Sequence, residues 1–265
     1  MSVIRYLDKL KKESKNIKKY KFYYDTNSDN TLEDFNAQEN YLMDFLRNID
    51  ELNELESETG FNVFETLSTV RTEIRHSNVL AWFLNLNETH SLNDYFLKKF
   101  IELVYLNNTN IYKDFRFEDI FLWNYENVEV YREKKLIDIL IVDNTKKFVI
   151  IIENKIDSIE HGDQLKDYQK AIEEEYNDYK KMYVYLTKNG EESSNSKLWG
   201  TFSYEIILEQ IMDECVKKTD SKVKEFIIDY QTILRRYIVG DSRIEEICRK
   251  IYNNHKKSFR FNLSI

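Results

Sequence analysis

The sequence predicts an α/β chain of the α+β kind, with a mixed central sheet in the order α-β-β-β-α-β and further helices at both ends. Three observations carry this. Apolar residues recur every three or four positions near both termini, the period of an amphipathic helix. Between them the pattern changes to short β-branched runs separated by polar turns. No internal repeat and no low-complexity linker divides the 265 residues. One domain is therefore expected: a helical extension over 1–60, a core over 61–200 and C-terminal helices over 201–265.

Residues 2–24 have helical spacing, and the polar stretch "DTNSDNT" (25–31) follows as a loop. Over 33–58, Leu42, Phe45, Leu46, Ile49, Leu52 and Leu55 form an apolar stripe, and Gly60 is placed to end that helix. Helices are predicted from Thr72 to Leu86 and from Leu92 to Leu106. Val128–Arg132, Ile137–Val142 and Phe148–Glu153 are predicted strands, 160–175 a helix, and "KMYVYLT" (181–187) a strand. From 203 onward the chain is helical, with Val223, Phe226, Ile227, Tyr230, Ile233, Leu234 and Tyr237 on one stripe.

Composition removes several classes of function. There is no proline and there are five glycines, so neither Gly-x-Gly-x-x-Gly nor a Walker phosphate loop is present. Cys215 and Cys248 have no metal or disulfide spacing, which suits a reducing cytoplasm. No apolar run is long enough to span a bilayer, and "MSVIRYLDKLKKESKNIKKYK" has no apolar core of a secretion signal. The net charge of −8 counts against indiscriminate nucleic-acid binding. Its distribution is uneven: residues 1–24 carry eight Lys or Arg against Asp8 and Glu13, a local +6, and the tail from Arg243 to Arg260 is also basic. Each basic stretch taken alone is more often a solvated helix face.

The stretch "FVIIIENKID" (148–157) holds the sharpest signal. Five apolar residues lead directly into Glu153, Asn154 and Lys155. If the preceding strand forms a hairpin with it around Asn144–Thr145, Asp138 falls opposite Ile151. It then lies diagonal to Glu153, about 7–8 Å away, on the face that carries Glu153 and Lys155. A bare Glu-x-Lys is also a common structural ion pair at a strand end. Asp138 on the same face is what favours a site, because charge interrupting apolar strands is costly unless paired or metal-bound.

The pattern "LIDILI" (136–141) followed by "FVIIIENKI" (148–156) resembles the PD-(D/E)XK nuclease superfamily, in which a strand Asp precedes (D/E)-x-K at about this distance. "EIRHSNVLAWFLN" (73–85) looks like the helix before the core in a bacterial subgroup. "HGDQLKDY" (161–168) is similar to the Gln-x-x-x-Tyr element of several such nucleases. The resemblance covers roughly residues 60–260. Ile137 stands where the family often has proline, and the chain stops soon after "RKIYNNHKK" (249–257), where relatives can continue.

The resemblance implies a restriction-endonuclease-like core and metal-dependent hydrolysis of phosphodiester bonds in nucleic acid, with DNA the expected substrate. Asp138 and Glu153 would hold Mg2+ (Mn2+ as the alternative), with the Asn154 carbonyl as a further ligand. Lys155 would orient the attacking water and stabilise developing negative charge, not act as a general base. Gln164 would touch Lys155 or a phosphate. Tyr168, four residues on and so on the same helix face, would support it or stack on a base. Glu73 is the expected third acidic residue, reaching the metal through water. His76 and Ser77 lie at the polar end of the same stripe and are expected to bind substrate, although a histidine such as His76 taken alone is more often structural; His90, His161 and His255 have no zinc spacing. The company such proteins keep implies a bacterial, cytoplasmic setting in genome defence, and cutting two strands would call for a homodimer. Two further readings stay open: a catalytically silent nuclease-fold module that binds nucleic acid or protein, and an assembly protein whose helical wings mediate contacts.

Overall fold

The computed structural model describes residues 60–158, 160, 162–240, 249 and 253. The helices expected over 2–24 and 33–58, the loop between them, His161 and most of the basic C-terminal tail lie outside the described residues. Phe61–Gly240 is described here as a unit by itself.

Its centre is a mixed five-stranded sheet in the order β1-β2-β3-β4-β5. The strands are β1 (Val128–Arg132), β2 (Ile139–Asp143), β3 (Phe148–Asn154), β4 (Lys180–Thr187) and β5 (Trp199–Ser203). The first three form antiparallel hairpins, while β3–β4 and β4–β5 are parallel. Parallel neighbours need a long connection, and helix α5 (Gln164–Glu175) supplies it between β3 and β4. The helices before the sheet are α1 (Val63–Thr66), α2 (Glu73–Leu84), α3 (Tyr95–Asn107) and α4 (Phe117–Phe121); the Asn62 side chain caps α1. After it come α6 (Tyr204–Ile207), which runs through a π-helical turn (Leu208–Met212) into α7 (Asp213–Lys218), and α8 (Ser221–Ile233) with a second π turn (Leu234–Val239). The fold is the predicted restriction-endonuclease-like α/β arrangement. The additions are α1, α4 and the edge strand β5.

The hairpin register differs from the sequence expectation. Asp143 pairs with Phe148 and Leu140 with Ile151, so the loop is Asn144–Lys147 and not a two-residue turn. The reason is local. Asp143 Oδ1 accepts from Thr145 N (2.9 Å), Thr145 Oγ1 (2.6 Å) and Lys146 N (3.0 Å), and Lys147 closes the loop at φ 50°. The shift is two residues, so every side chain keeps its face. Continued outward, the register puts Asp138 across from Glu153 itself, not diagonal to it.

Each face of the sheet is dry. Ile139, Ile141, Ile150, Ile152, Val184 and Leu186 enter a large cluster with the N- and C-terminal helices of the unit, where the predicted stripe of α8 packs through Ile227, Tyr230 and Ile233. Leu140, Val142, Val149, Ile151 and Tyr183 enter a smaller cluster roofed by Leu165, Tyr168 and Ile172 of α5. Edge strand β5 is covered by a side chain acting as a strand: Asn108 Oδ1 accepts from Thr201 N (2.9 Å) and Asn108 Nδ2 donates to Thr201 O (2.8 Å). Gly200 is required there, because a Cβ would overlap the Tyr112 hydroxyl.

Candidate active site

The site lies where β2 begins and β3 ends, on the α5 side of the sheet. Glu153 and Lys155 follow Val149 and Ile151 in period two, so the burial that sequesters the small cluster also carries two charges inward. Glu153 is 1% exposed. Lys155 Nζ stands 2.7 Å from Glu153 Oε1 as an ion pair, and no other donor reaches either buried Glu153 oxygen. Asp138, just before β2, points the same way, and its Oδ2 accepts from Asn154 N (2.8 Å). Burial pushes the Asp138 carboxyl up, opposed by that N–H and by Lys155 and Arg132. Burial, and then the neighbouring Asp138, push Glu153 up to about 7. Both shifts express the cost of keeping two neighbouring carboxylates charged away from water, which Lys155 offsets in part.

Helix α5 brings in the next two residues. Gln164 Nε2 donates to Tyr168 Oη (2.7 Å), and Tyr168 Oη donates to the Leu136 carbonyl (2.6 Å). The Tyr168 ring is buried in the small cluster, and the hydroxyl is pushed up to about 12 by burial and by the nearby Glu153. Gln164 Oε1 is a buried acceptor without a donor.

On the opposite face of β3, Asn154 is fully engaged. Its Nδ2 donates to Ser77 Oγ (2.9 Å) and the Glu73 carbonyl (3.3 Å), and its Oδ1 accepts from Tyr204 Oη (3.0 Å). Ser77 and His76 are buried behind it. His76 Nε2 lies 3.1 Å from the Val70 carbonyl, an acceptor only, so it carries the proton and Nδ1 accepts from Tyr230 Oη (3.1 Å). Burial lowers the His76 pKa and favours this neutral form. Glu73 heads α2, and its Oε1 accepts from the N–H groups of Ile156 (2.8 Å), Asp157 (3.2 Å) and Ser158 (3.1 Å). The Ser158 hydroxyl adds a bond to each of its oxygens. Burial alone would raise the Glu73 carboxyl, but these donors outweigh it and lower it.

The structure thus brings Asp138, Glu153, Lys155, Gln164 and Tyr168 together on one face. It sets Asn154, Ser77, His76 and Glu73 behind and beside them. Sequence reasoning missed three neighbours. Arg132 donates to the Asp138 carbonyl and to Asn78 Oδ1 (2.9 Å), tying the start of β2 to α2. Tyr204 holds Asn154. Tyr185 stands beside Glu153 across the parallel β3–β4 pair and so shares its face. Only Tyr185 had a signal, its alternation within β4, and that becomes usable once β4 is known to pair with β3.

The donor set fits a hard divalent cation. The two buried Glu153 oxygens meet no donor but Lys155, Gln164 Oε1 has none, and Asp138 adds a second carboxylate. Among the described residues no group of three or more His, Cys, Asp and Glu stands together. The remaining ligands would therefore be neutral oxygens: the Asn154 carbonyl, Gln164 Oε1 and water.

A mixed sheet whose central strands deliver one buried and one half-buried carboxylate and a lysine to one face, under a helix bearing Gln and Tyr, defines a restriction-endonuclease-like α/β protein. The chain belongs to the PD-(D/E)XK nuclease superfamily, whose family model matches residues 61–232. Nuclease or hydrolase chemistry in general, divalent metals and nucleic-acid substrates accompany that membership. No curated protein and no solved structure gives a significant match. Among the described residues, no helix is long and apolar enough to cross a membrane.

Proposed function

We propose that the protein is a Mg2+-dependent nuclease that hydrolyses phosphodiester bonds of DNA. One observation carries this reading: buried Glu153, whose oxygens meet no donor but Lys155, stands beside Asp138. A bound Mg2+ would polarise the phosphate and acidify a coordinated water. Asp138 and Glu153 hold it, with the Asn154 carbonyl alongside. Lys155 orients the water and offsets charge on the phosphate as it grows. Gln164 completes the polar wall, and Tyr168 fixes Gln164. Glu73 keeps the 156–158 loop shaped around the site, and His76 and Ser77 hold the strand end from behind. The setting we propose is the bacterial cytoplasm, in genome defence, with two copies acting on the two strands.

The test is incubation of wild type and Lys155→Ala with single- and double-stranded DNA and RNA, in Mg2+, Mn2+ and EDTA. Wild type is expected to cut DNA with metal and not in EDTA, and Lys155→Ala to be slower by about a hundredfold to a thousandfold. Metal binding without cleavage of any substrate would favour the silent binding module. Absence of both would reduce Glu153–Lys155 to a structural ion pair.

A further inference from the structure

The β1–β2 connection has a conformation that the site does not require. Glu133, Lys135 and Leu136 have φ values of 53°, 58° and 66°, and none is glycine. Left-handed backbone is unfavourable for such residues, most of all for a bulky one, and persists only where surroundings over-determine it. Here they do. The Tyr168 hydroxyl holds the Leu136 carbonyl (2.6 Å), Lys135 Nζ holds the Ala171 carbonyl (3.2 Å) and Lys134 Nζ holds the Tyr176 hydroxyl (2.9 Å). Glu175 pairs with both lysines, at 3.3 and 2.7 Å. Lys134 also sits over the Tyr131 ring at 4.4 Å. All of this fixes a leucine that is 82% exposed, the highest value among the exposed large hydrophobics of the described residues.

Its position matters more than its exposure. Leu136 is two residues before Asp138, so the two backbones are at most about 7 Å apart. It is also tied through Tyr168 to Gln164. A phosphodiester held at Asp138 and Glu153 therefore has its flanking nucleotides within reach of this exposed side chain. A protein partner seated on Leu136 would instead obstruct the carboxylates. The apolar surfaces a nucleic acid can offer are the faces of its bases, and short apolar side chains on rigid supports lodge between base steps.

We propose that Leu136 is a substrate-positioning wedge, inserting between neighbouring bases beside the scissile phosphodiester. This rests on the nuclease reading above. The tethers hold the wedge ready before binding, so no ordering of the loop opposes association.

The test uses DNA oligonucleotides carrying 2-aminopurine, whose fluorescence rises on unstacking, with affinity read separately by anisotropy. Leu136→Asn and Leu136→Phe are made in a Lys155→Ala background so that the DNA stays intact. Asn tolerates left-handed backbone and the site is exposed, so folding is not at risk. Leu136→Asn is expected to bind about tenfold more weakly and to lose the fluorescence rise, while Leu136→Phe keeps both. In the otherwise wild-type chain, Leu136→Asn is expected to raise KM more than it lowers kcat. Equal affinity and equal fluorescence for Leu136→Asn and its parent, in a protein that cuts DNA, would overturn the wedge and leave the nuclease reading standing. A wild type that neither binds nor cuts DNA would overturn both.

Discussion

Glu153 and Asn154 are adjacent in β3, both 1% exposed, and the fold treats them in opposite ways. The Asn154 side chain, turned toward α2, has three partners: the Ser77 and Tyr204 hydroxyls and the Glu73 backbone carbonyl. Glu153, turned toward α5, has a lysine beside it and no other donor on either oxygen. Buried polar groups in folded proteins are nearly always partnered, and an unpartnered one costs about 1–3 kcal/mol. The same strand end thus carries a satisfied anchor on one face and an unsatisfied carboxylate on the other. The anchor keeps the backbone from moving to relieve the carboxylate. What this teaches is that the Glu153 carboxylate is held in its costly buried position by the packing of its neighbours.

The strongest challenge to that contrast is Asn154→Ala. It leaves the Ser77 and Tyr204 hydroxyls without their partner, so a loss of about 2–4 kcal/mol is expected in urea unfolding. A loss under about 0.5 kcal/mol would mean that the Asn154 face is not an anchor. Glu153→Gln should move the other way. In the metal-free protein it removes the buried charge and is expected to stabilise by about 1–2 kcal/mol above neutral pH. The sign follows from the raised carboxyl. Between the ordinary 4.5 and about 7 the folded protein binds the proton more tightly than the unfolded chain does. Wild-type stability contributed by this group therefore falls as pH rises through that window, and Glu153→Gln lacks the fall. Mg2+ should raise the melting temperature of wild type and not of Glu153→Gln. If both variants destabilise equally, the two faces do not differ in the way described.

How much of this was legible in the sequence varies with the range of the interaction. Period-two and period-3.6 patterns placed β1 to β4 and the main helices, because burial acts on each element separately. The facing of Asp138, Glu153 and Lys155 was legible for the same reason, and it survived a register error of two residues. The register itself was not, since Asp143 binding Thr145 and Lys146 lengthens the loop through side-chain geometry that alternation does not encode. β5 was missed because "WGTFS" is short, contains a glycine and is held as an edge by Asn108, 93 residues away. Arg132 and Tyr204 were invisible likewise: their roles exist only through contacts made by the folded chain. Glu73 was found by resemblance, but its partners, three consecutive N–H groups, carry no side-chain signature at all.

Glu73 gives the smallest and most discriminating prediction. Its carboxylate binds Ile156, Asp157 and Ser158, the segment leaving Lys155, and so controls where the lysine's strand ends. Glu73→Gln keeps an acceptor oxygen but loses the charge, and is expected to destabilise by about 1 kcal/mol at neutral pH, discounted for partial exposure. The sign is opposite to that of Glu153. A lowered carboxyl contributes stability that is complete above 4.5 and disappears as pH falls through its folded value, so wild type and Glu73→Gln should converge in acid. Metal affinity then separates two roles. If Glu73 acts only by shaping the loop, calorimetric Mg2+ affinity should be nearly unchanged while kcat falls through a displaced Lys155. If it also reaches the metal through water, affinity should fall by about tenfold to a hundredfold. Three backbone N–H groups and the Ser158 hydroxyl fill Glu73 Oε1, so a metal-bound water would be met by Oε2, which takes only the Ser158 hydroxyl.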